Sequence, residues 1–151
     1  MQKGKGQILG LPYIFKQKID KNERDIAEVN SKLPKLLWEN TNPTASFEAQ
    51  DVTLNSTDYD YLVAVCSQSV NSEVTISSSM AEKGERALVL TVSNSGSSQG
   101  YILDRRTRSA AVSEDGGTVT FANGSRLISG SASTTDNSLL IPLRIIGYCY
   151  Q

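Results

Sequence analysis

The chain has 151 residues and 38% hydrophobic content, which suits one domain with a small appendage and a core of its own. It contains no histidine, so the usual general base, the Ser/His/Asp and Cys/His arrangements and most zinc sites are excluded. The formal net charge of -1 conceals an asymmetry: residues 1–35 carry eight Lys/Arg against four Asp/Glu, and residues 36–151 carry seven against twelve. A basic arm precedes an acidic body, and the change of composition places a boundary near Pro34.

The opening stretch MQKGKGQILGLPY has basic residues but no apolar core of the length a signal peptide requires, and no apolar run reaches membrane-spanning length. A product made in the cytoplasm, without membrane insertion, is expected. Residues 1–12 read as an arm. From Pro12 to Leu36 the apolar residues fall on a heptad, with Pro12, Ile19, Ile26 and Leu33 at one seam position and Phe15, Asn22, Val29 and Leu36 at the other. Pro12 suits a first helical turn and Pro34 disfavours helix at the residue before it, so a helix is drawn over residues 13–34. Its other faces carry Lys16, Lys18, Lys21, Glu23, Arg24, Asp25, Glu28 and Lys32, which leaves only a narrow stripe to bury.

Such a stripe can pack on the body or on copies of itself. Self-association is favoured by its narrowness, by Lys18 and Glu23 placed for an attractive pair between neighbouring helices, and by the seam residues themselves. Ile19 and Ile26 at one position with Val29 at the other lean toward a trimer, and Asn22 fixes register at a cost in stability. The expected seam is Ile19, Asn22, Ile26, Val29 and Leu33, in a short trimeric coiled coil. Three heptads are marginal alone, so the helix needs help from an oligomeric head or from docking.

Beyond residue 35 the pattern changes to period two, Ser and Thr rise to about a quarter of the residues, and short apolar runs are bounded by turn residues. Strands are expected over residues 35–39, 51–54, 59–67, 73–77, 86–93, 101–104, 108–113, 118–122, 126–129 and 138–148. The segment from Tyr59 to Cys66 is apolar on both faces and reads as a central strand. Glu114-Asp115-Gly116-Gly117 and Asn123-Gly124 read as hairpin connections. SNSGSSQG (93–100) and GSASTTDNS (130–138) read as polar projecting loops. The fold class expected is mainly β: an antiparallel, jelly-roll-like β-sandwich head over residues 35–151, preceded by the helix.

Cys66 and Cys149 lie inside apolar runs without metal-ligand spacing; reduced core residues are the favoured reading, and a disulfide between neighbouring strands is the alternative. The acceptor triplets Asn55-Ser56-Thr57 and Asn123-Gly124-Ser125 read as turn residues. For catalysis the available acids are Asp58, Asp60, Asp104, Glu114 and Asp115, the set a glycosidase would draw on. No phosphate-binding loop occurs, and neither a cofactor nor a metal is implied. Arg105, Arg106 and Arg108 form the dense basic cluster of the body. Without an array of aromatics they make no nucleic-acid platform, so pairing with acids or contact with an acidic surface glycan is the expectation.

Several stretches resemble, in order, the compact β domains that end tail-fibre and related appendage proteins of bacteriophages and prophages. They are LLWENTNPTASFEAQDVTL, DYDYLVAV, the arginine cluster, GTVTFANGSRLIS and NSLLIPLRIIGY, spread over residues 36–148. The resemblance implies a trimeric, non-enzymatic β-sandwich displayed on a virion. The glycine-containing arm MQKGKGQILGLPY is separately expected to insert into another virion protein, with Ile8, Leu9, Leu11, Tyr13 and Phe15 as apolar anchors and Lys3 and Lys5 facing an acidic partner. A fibre that attaches to the host surface is the leading expectation. A head fibre, capsid decoration or baseplate or collar connector comes second, and a glycan depolymerase third.

Overall fold

A computed structural model describes residues 10–77, 81–97 and 100–150. The chain divides into two compact units, one ending at Leu33 and the other running from Pro34 to Tyr150.

The first unit is helix α1, Gly10–Lys32, which starts three residues earlier than expected. Pro12 lies in its first turn, where a missing N–H removes no intrahelical bond. At the far end the Leu33 amide donates to the Asn30 carbonyl at 3.3 Å, and Pro34 stops further propagation. Two exposed i,i+4 ion pairs, Lys21–Asp25 at 2.7 Å and Glu28–Lys32 at 3.0 Å, support the charged faces. Each is worth only a few tenths of a kcal/mol, roughly 0.3–0.5.

Among the described residues the second unit, the head, has ten strands: β1 Lys35–Glu39, β2 Gln50–Thr53, β3 Tyr61–Ser69, β4 Thr75–Ser77, β5 Arg86–Ser97, β6 Gly100–Val112, β7 Thr118–Phe121, β8 Ser125–Ile128, β9 Thr134–Thr135 and β10 Leu139–Tyr148. All pairings are antiparallel. One sheet has the order β1-β10-β3-β4; the other runs β2-β7-β6-β8-β9, with β5 also paired to β6. β3 is an interior strand of its sheet, as its two apolar faces require. The arrangement is sandwich-like, because both sheets supply the same core: Leu37, Leu62, Ala64, Ile141 and Ile145 from one meet Val52, Ala110, Val112, Val119 and Phe121 from the other. Phe47 and Tyr59, from connecting segments, complete it. The Tyr59 hydroxyl is satisfied by the Gly116 carbonyl at 2.7 Å.

Two expectations are corrected. The strands expected at 101–104 and 108–113 are one long strand, β6, which pairs with β5 from Arg86↔Ala111 to Ser97↔Gly100. The polar 93–100 stretch is therefore largely the end of a β ribbon, with residues 98 and 99 outside the described residues. Asn123-Gly124 is not a hairpin turn either. β7 and β8 both run antiparallel to β6, and the register passes from Ala110↔Phe121 to Thr107↔Ser125, an extra residue on the β7–β8 side that marks a bulge. The reason lies in what packs there: a Cβ on Gly124 would stand 2.2 Å from the Asp136 carbonyl oxygen, so this glycine permits a close backbone approach. Glu114–Gly117 does reverse the chain between β6 and β7, with Gly116 at φ 74°.

Asparagine side chains close several joints. Asn40 donates to the Pro142 carbonyl at 2.8 Å beside an irregularity in β10, and its own Oδ1 accepts from the Asn42 amide. Asn55 donates to the Leu36 carbonyl at 3.2 Å next to the β1 bulge between Leu36 and Trp38. Asn123 accepts from the Ala49 amide, and Asn137 from the Gly124 amide. Both glycosylation-like triplets thus hold asparagines engaged with backbone. Cys66 is fully buried, with its thiol pushed up to about 12 by burial, and both cysteines are free.

Candidate functional site

Three features of the structure bear on function: the stripe on α1, the arginines of β6, and a cleft at one side of the head.

On α1 the seam residues carry large exposed apolar side chains, Ile19 at 55%, Ile26 at 60%, Val29 at 59% and Leu33, just past the last turn, at 52%. Asn22 lies among them and is exposed. Tyr13 and Phe15 are exposed as well, whereas Ile8 and Leu9 lie outside the described residues. Leu11 falls within the first turn of the helix. Leu36, expected to share the seam period, is the second residue of strand β1.

The arginine cluster does not act as a unit. β6 alternates, so Asp104, Arg106 and Arg108 share one face with Ala110 and Val112, while Arg105 lies on the other and is exposed. Arg108 is 1% exposed and unavailable to any surface partner, which corrects its placement among surface-binding residues. Its guanidinium donates to the carbonyls of Leu140 at 2.8 Å, Leu139 at 3.0 Å and Ala122 at 2.7 Å, and it stands 5.4 Å from the centre of the Phe47 ring. Burial lowers its pKa to about 10, so it remains charged at neutral pH, solvated by carbonyl dipoles in place of a carboxylate. Leu140 accepts one of these bonds from a left-handed backbone conformation, φ 50°, a strain the guanidinium helps to hold.

Arg106 sits directly opposite Arg126 of β8, a like-charge pair that would repel. Asp104 bridges them, accepting from Arg126 Nε at 3.0 Å and Nη2 at 2.9 Å and from Arg106 Nη2 at 2.9 Å. These bonds, first from Arg126 and then from Arg106, hold the Asp104 carboxyl down at about 2. Arg105 is left as the exposed member of the sequence cluster.

Most of the acids singled out for glycosidase chemistry are also engaged. Asp58 pairs with Lys35, Asp60 accepts from the Tyr150 amide at 2.6 Å, and Asp115 accepts from Ser113 and the Gly117 amide within its turn. The Asp58 carboxyl is lowered by its bond from Lys35, and that of Asp115 by its bond from Ser113. A glycosidase acid needs the opposite shift. Among the described residues no group of three His, Cys, Asp or Glu side chains is placed to hold a metal ion, and no helix is long and apolar enough to cross a membrane.

The cleft is the feature that sequence reading missed. β1 and β2 are the end strands of their respective sheets, and the segment joining them folds over so that both line a cavity of about 460 Å³. The half-buried Trp38 supplies its aromatic surface, in edge contact at 6.2 Å and 77° with the buried Phe47. Both rings also meet Phe121 of the core, at 6.2 and 5.5 Å, which fixes them from behind. Glu39, Asn40, Asn42, Gln50 and Asp51 also border it, with the Glu39 side chain on the outer face of its sheet opposite Arg144 and the Asp51 side chain on the outer face of the other. Asn40 is locked by its bond to Pro142, and Asp51 is oriented by the Thr120 hydroxyl at 2.6 Å. The two-residue spacing of Trp38 from the Asn/Thr/Pro turn was the available signal, but the opposing wall, Gln50 to Thr53, comes from a different sheet.

Comparisons with models of protein families, with curated proteins and with solved structures found no match to the chain.

Proposed function

We propose that this chain is a non-enzymatic bacteriophage virion protein, a trimeric fibre or appendage that displays its β head for attachment to the host surface. The observation that carries the reading is the helical stripe: Ile19, Ile26, Val29 and Leu33 are more than half exposed on a helix whose other faces are charged. About 1.5–3 kcal/mol is gained for each such side chain on full burial, so a stripe of four favours association strongly. The seam chemistry, isoleucine at one position and valine at the other with one asparagine, favours three strands.

The virion assignment comes from the resemblance of residues 36–148 to phage appendage domains. In this reading Ile8, Leu9, Leu11, Tyr13 and Phe15 anchor the arm in another virion protein, and the three heads gain avidity from being linked. The glycan-facing role passes from the arginine cluster to other surfaces, since Arg108 is buried and Arg106 is paired. The engaged carboxylates support a role without catalysis. Neither a nucleic acid nor a membrane is a partner in this account.

Immunogold labelling of particles from a producing strain tests the assignment. Gold on the virion, lost when residues 1–13 are deleted although the protein is still made, is the expected result; unlabelled particles would refute it. Particles that carry the protein and adsorb to cells equally well without it would move the role to a decoration or connector.

A further inference from the structure

The two outward faces of the head are built differently. On β2 and β7 the outward positions are Asp51 opposite Thr120 and Thr53 opposite Thr118, polar side chains of the kind a solvated sheet face carries. On the other sheet the outward positions fall in three rows across β1, β10 and β3. Tyr148 stands opposite Tyr61, Ile146 lies between Leu36 and Val63, and Glu39 stands opposite Arg144. Their neighbours along the same strands, Leu37, Leu62, Ala64 and Ile145, are in the core, which fixes the direction of these side chains.

The first two rows are apolar. The Tyr61 and Tyr148 rings stack, 5.2 Å between centres and 4° between planes, and the Tyr150 ring lies 5.4 Å from Tyr61. Leu36 is 49% and Tyr150 59% exposed, and Val63, Ile146, Tyr61 and Tyr148 are half-buried. Apolar side chains gathered on an outward sheet face form a patch of the kind that marks an interaction site.

Two observations select the occupant. Residues 33 and 34 are all that joins α1 to β1, and the step from Lys32 to Lys35 spans at most about 11 Å. Any trimer of α1 therefore starts three β1 strands close together, and Leu36 is the second residue of each. The charges agree with a copy of the same chain. Glu39 and Arg144, at the border of the patch, are exposed and, among the described residues, in no ion pair. A face that carries one acid and one base is complementary to a rotated copy of itself.

We propose that the Leu36–Ile146–Val63 face of the head is where three copies of this chain meet, with Tyr61 and Tyr148 beside it and Glu39 and Arg144 at its rim. The inference rests on the trimer proposed above and supplies the head contact that a helix of three heptads needs. It also gives the second apolar face of β3 something to pack against.

Sedimentation equilibrium of the full chain tests it on the wild type, on Leu36→Lys, on Ile146→Lys, and on Thr53→Lys, which puts the same charge on the polar face of the other sheet. Each of the first two variants should raise the concentration at which half the chain is trimeric at least tenfold, and Thr53→Lys should leave it within twofold. Leu36 is already half exposed, so Leu36→Lys should melt within about 2 °C of the wild type where both are monomeric, which separates lost association from lost folding. A wild-type trimer that neither face variant weakens overturns the proposal and leaves the helical trimer standing. A wild type that stays monomeric overturns both. Equal weakening by Thr53→Lys overturns it as well, because added charge then accounts for the effect. If the face variants remain trimeric but are lost from particles, the face belongs to another virion protein, and the proposal falls equally.

Discussion

In α1 the large apolar side chains stand in solvent, with Ile26 at 60% and Val29 at 59% exposure, whereas in the head Leu37, Ile141 and Phe121 are at 1% or below. The same residue types serve two different demands. The head buries both sheets against one another within one chain and satisfies its buried guanidinium, that of Arg108, on three carbonyls, although the Ser67 hydroxyl is buried without a partner. A 23-residue helix with all its seam exposed has no comparable internal support, and isolated helices of this length are marginal in water. The head is specified by contacts within the chain, and the proposed trimer is what would give the helix a comparable support.

That contrast predicts where substitutions act. The largest effect is expected from Arg108→Leu, which strands the Leu139, Leu140 and Ala122 carbonyls in the core. It should lower head stability by about 3–5 kcal/mol in urea denaturation, with no dependence on protein concentration. Gly124→Ala should approach this, because its Cβ has no room beside Asp136. The paired substitution Ile19→Asn with Ile26→Asn should leave the head's near-ultraviolet signal unchanged and abolish most of the helical circular dichroism. In the proposed trimer the stripe would lose about 1.5–3 kcal/mol for each side chain. If the head melts with the helix in this variant, the two units are not independent.

Asp104→Asn comes next, at about 2 kcal/mol, since it leaves Arg106 and Arg126 face to face. Its pH signature has a definite sign. The folded carboxyl, near 2, lies below an ordinary aspartate near 3.9, so its contribution is complete above about pH 4 and is lost as pH falls toward 2. The wild-type head should therefore destabilise over that window, and Asp104→Asn should show less of the slope. The smallest effect is expected from Lys21→Ala, which breaks an exposed pair and should change stability by less than about 0.5 kcal/mol.

Much of the architecture was legible in the residues themselves. The helix and its stop at Pro34, the change to period two, and the two-sided apolar run of β3 follow from spacing, and β1 was readable to the residue. What failed has a common physical origin. RRTR looks like a surface turn by composition, yet Arg108 is in phase with Ala110 and Val112, and that parity points inward. Asn-Gly is a hairpin signal when its neighbours reverse direction; here Gly124 is needed because the Asp136 backbone lies against it, a contact with no local trace. The cleft is of the same kind. Trp38 and Phe47 lie nine residues apart and could be suspected of meeting, but the β2 wall of the cleft is the edge of the other sheet.

The mass of the full chain in solution tests the proposed trimer most directly. Sedimentation equilibrium over a hundredfold concentration range should give three times the 16.4 kDa chain mass at the high end, with the Ile19→Asn, Ile26→Asn variant at one times that mass. A wild-type protein that remains at 16.4 kDa at the highest concentration, with its helix intact, would contradict it.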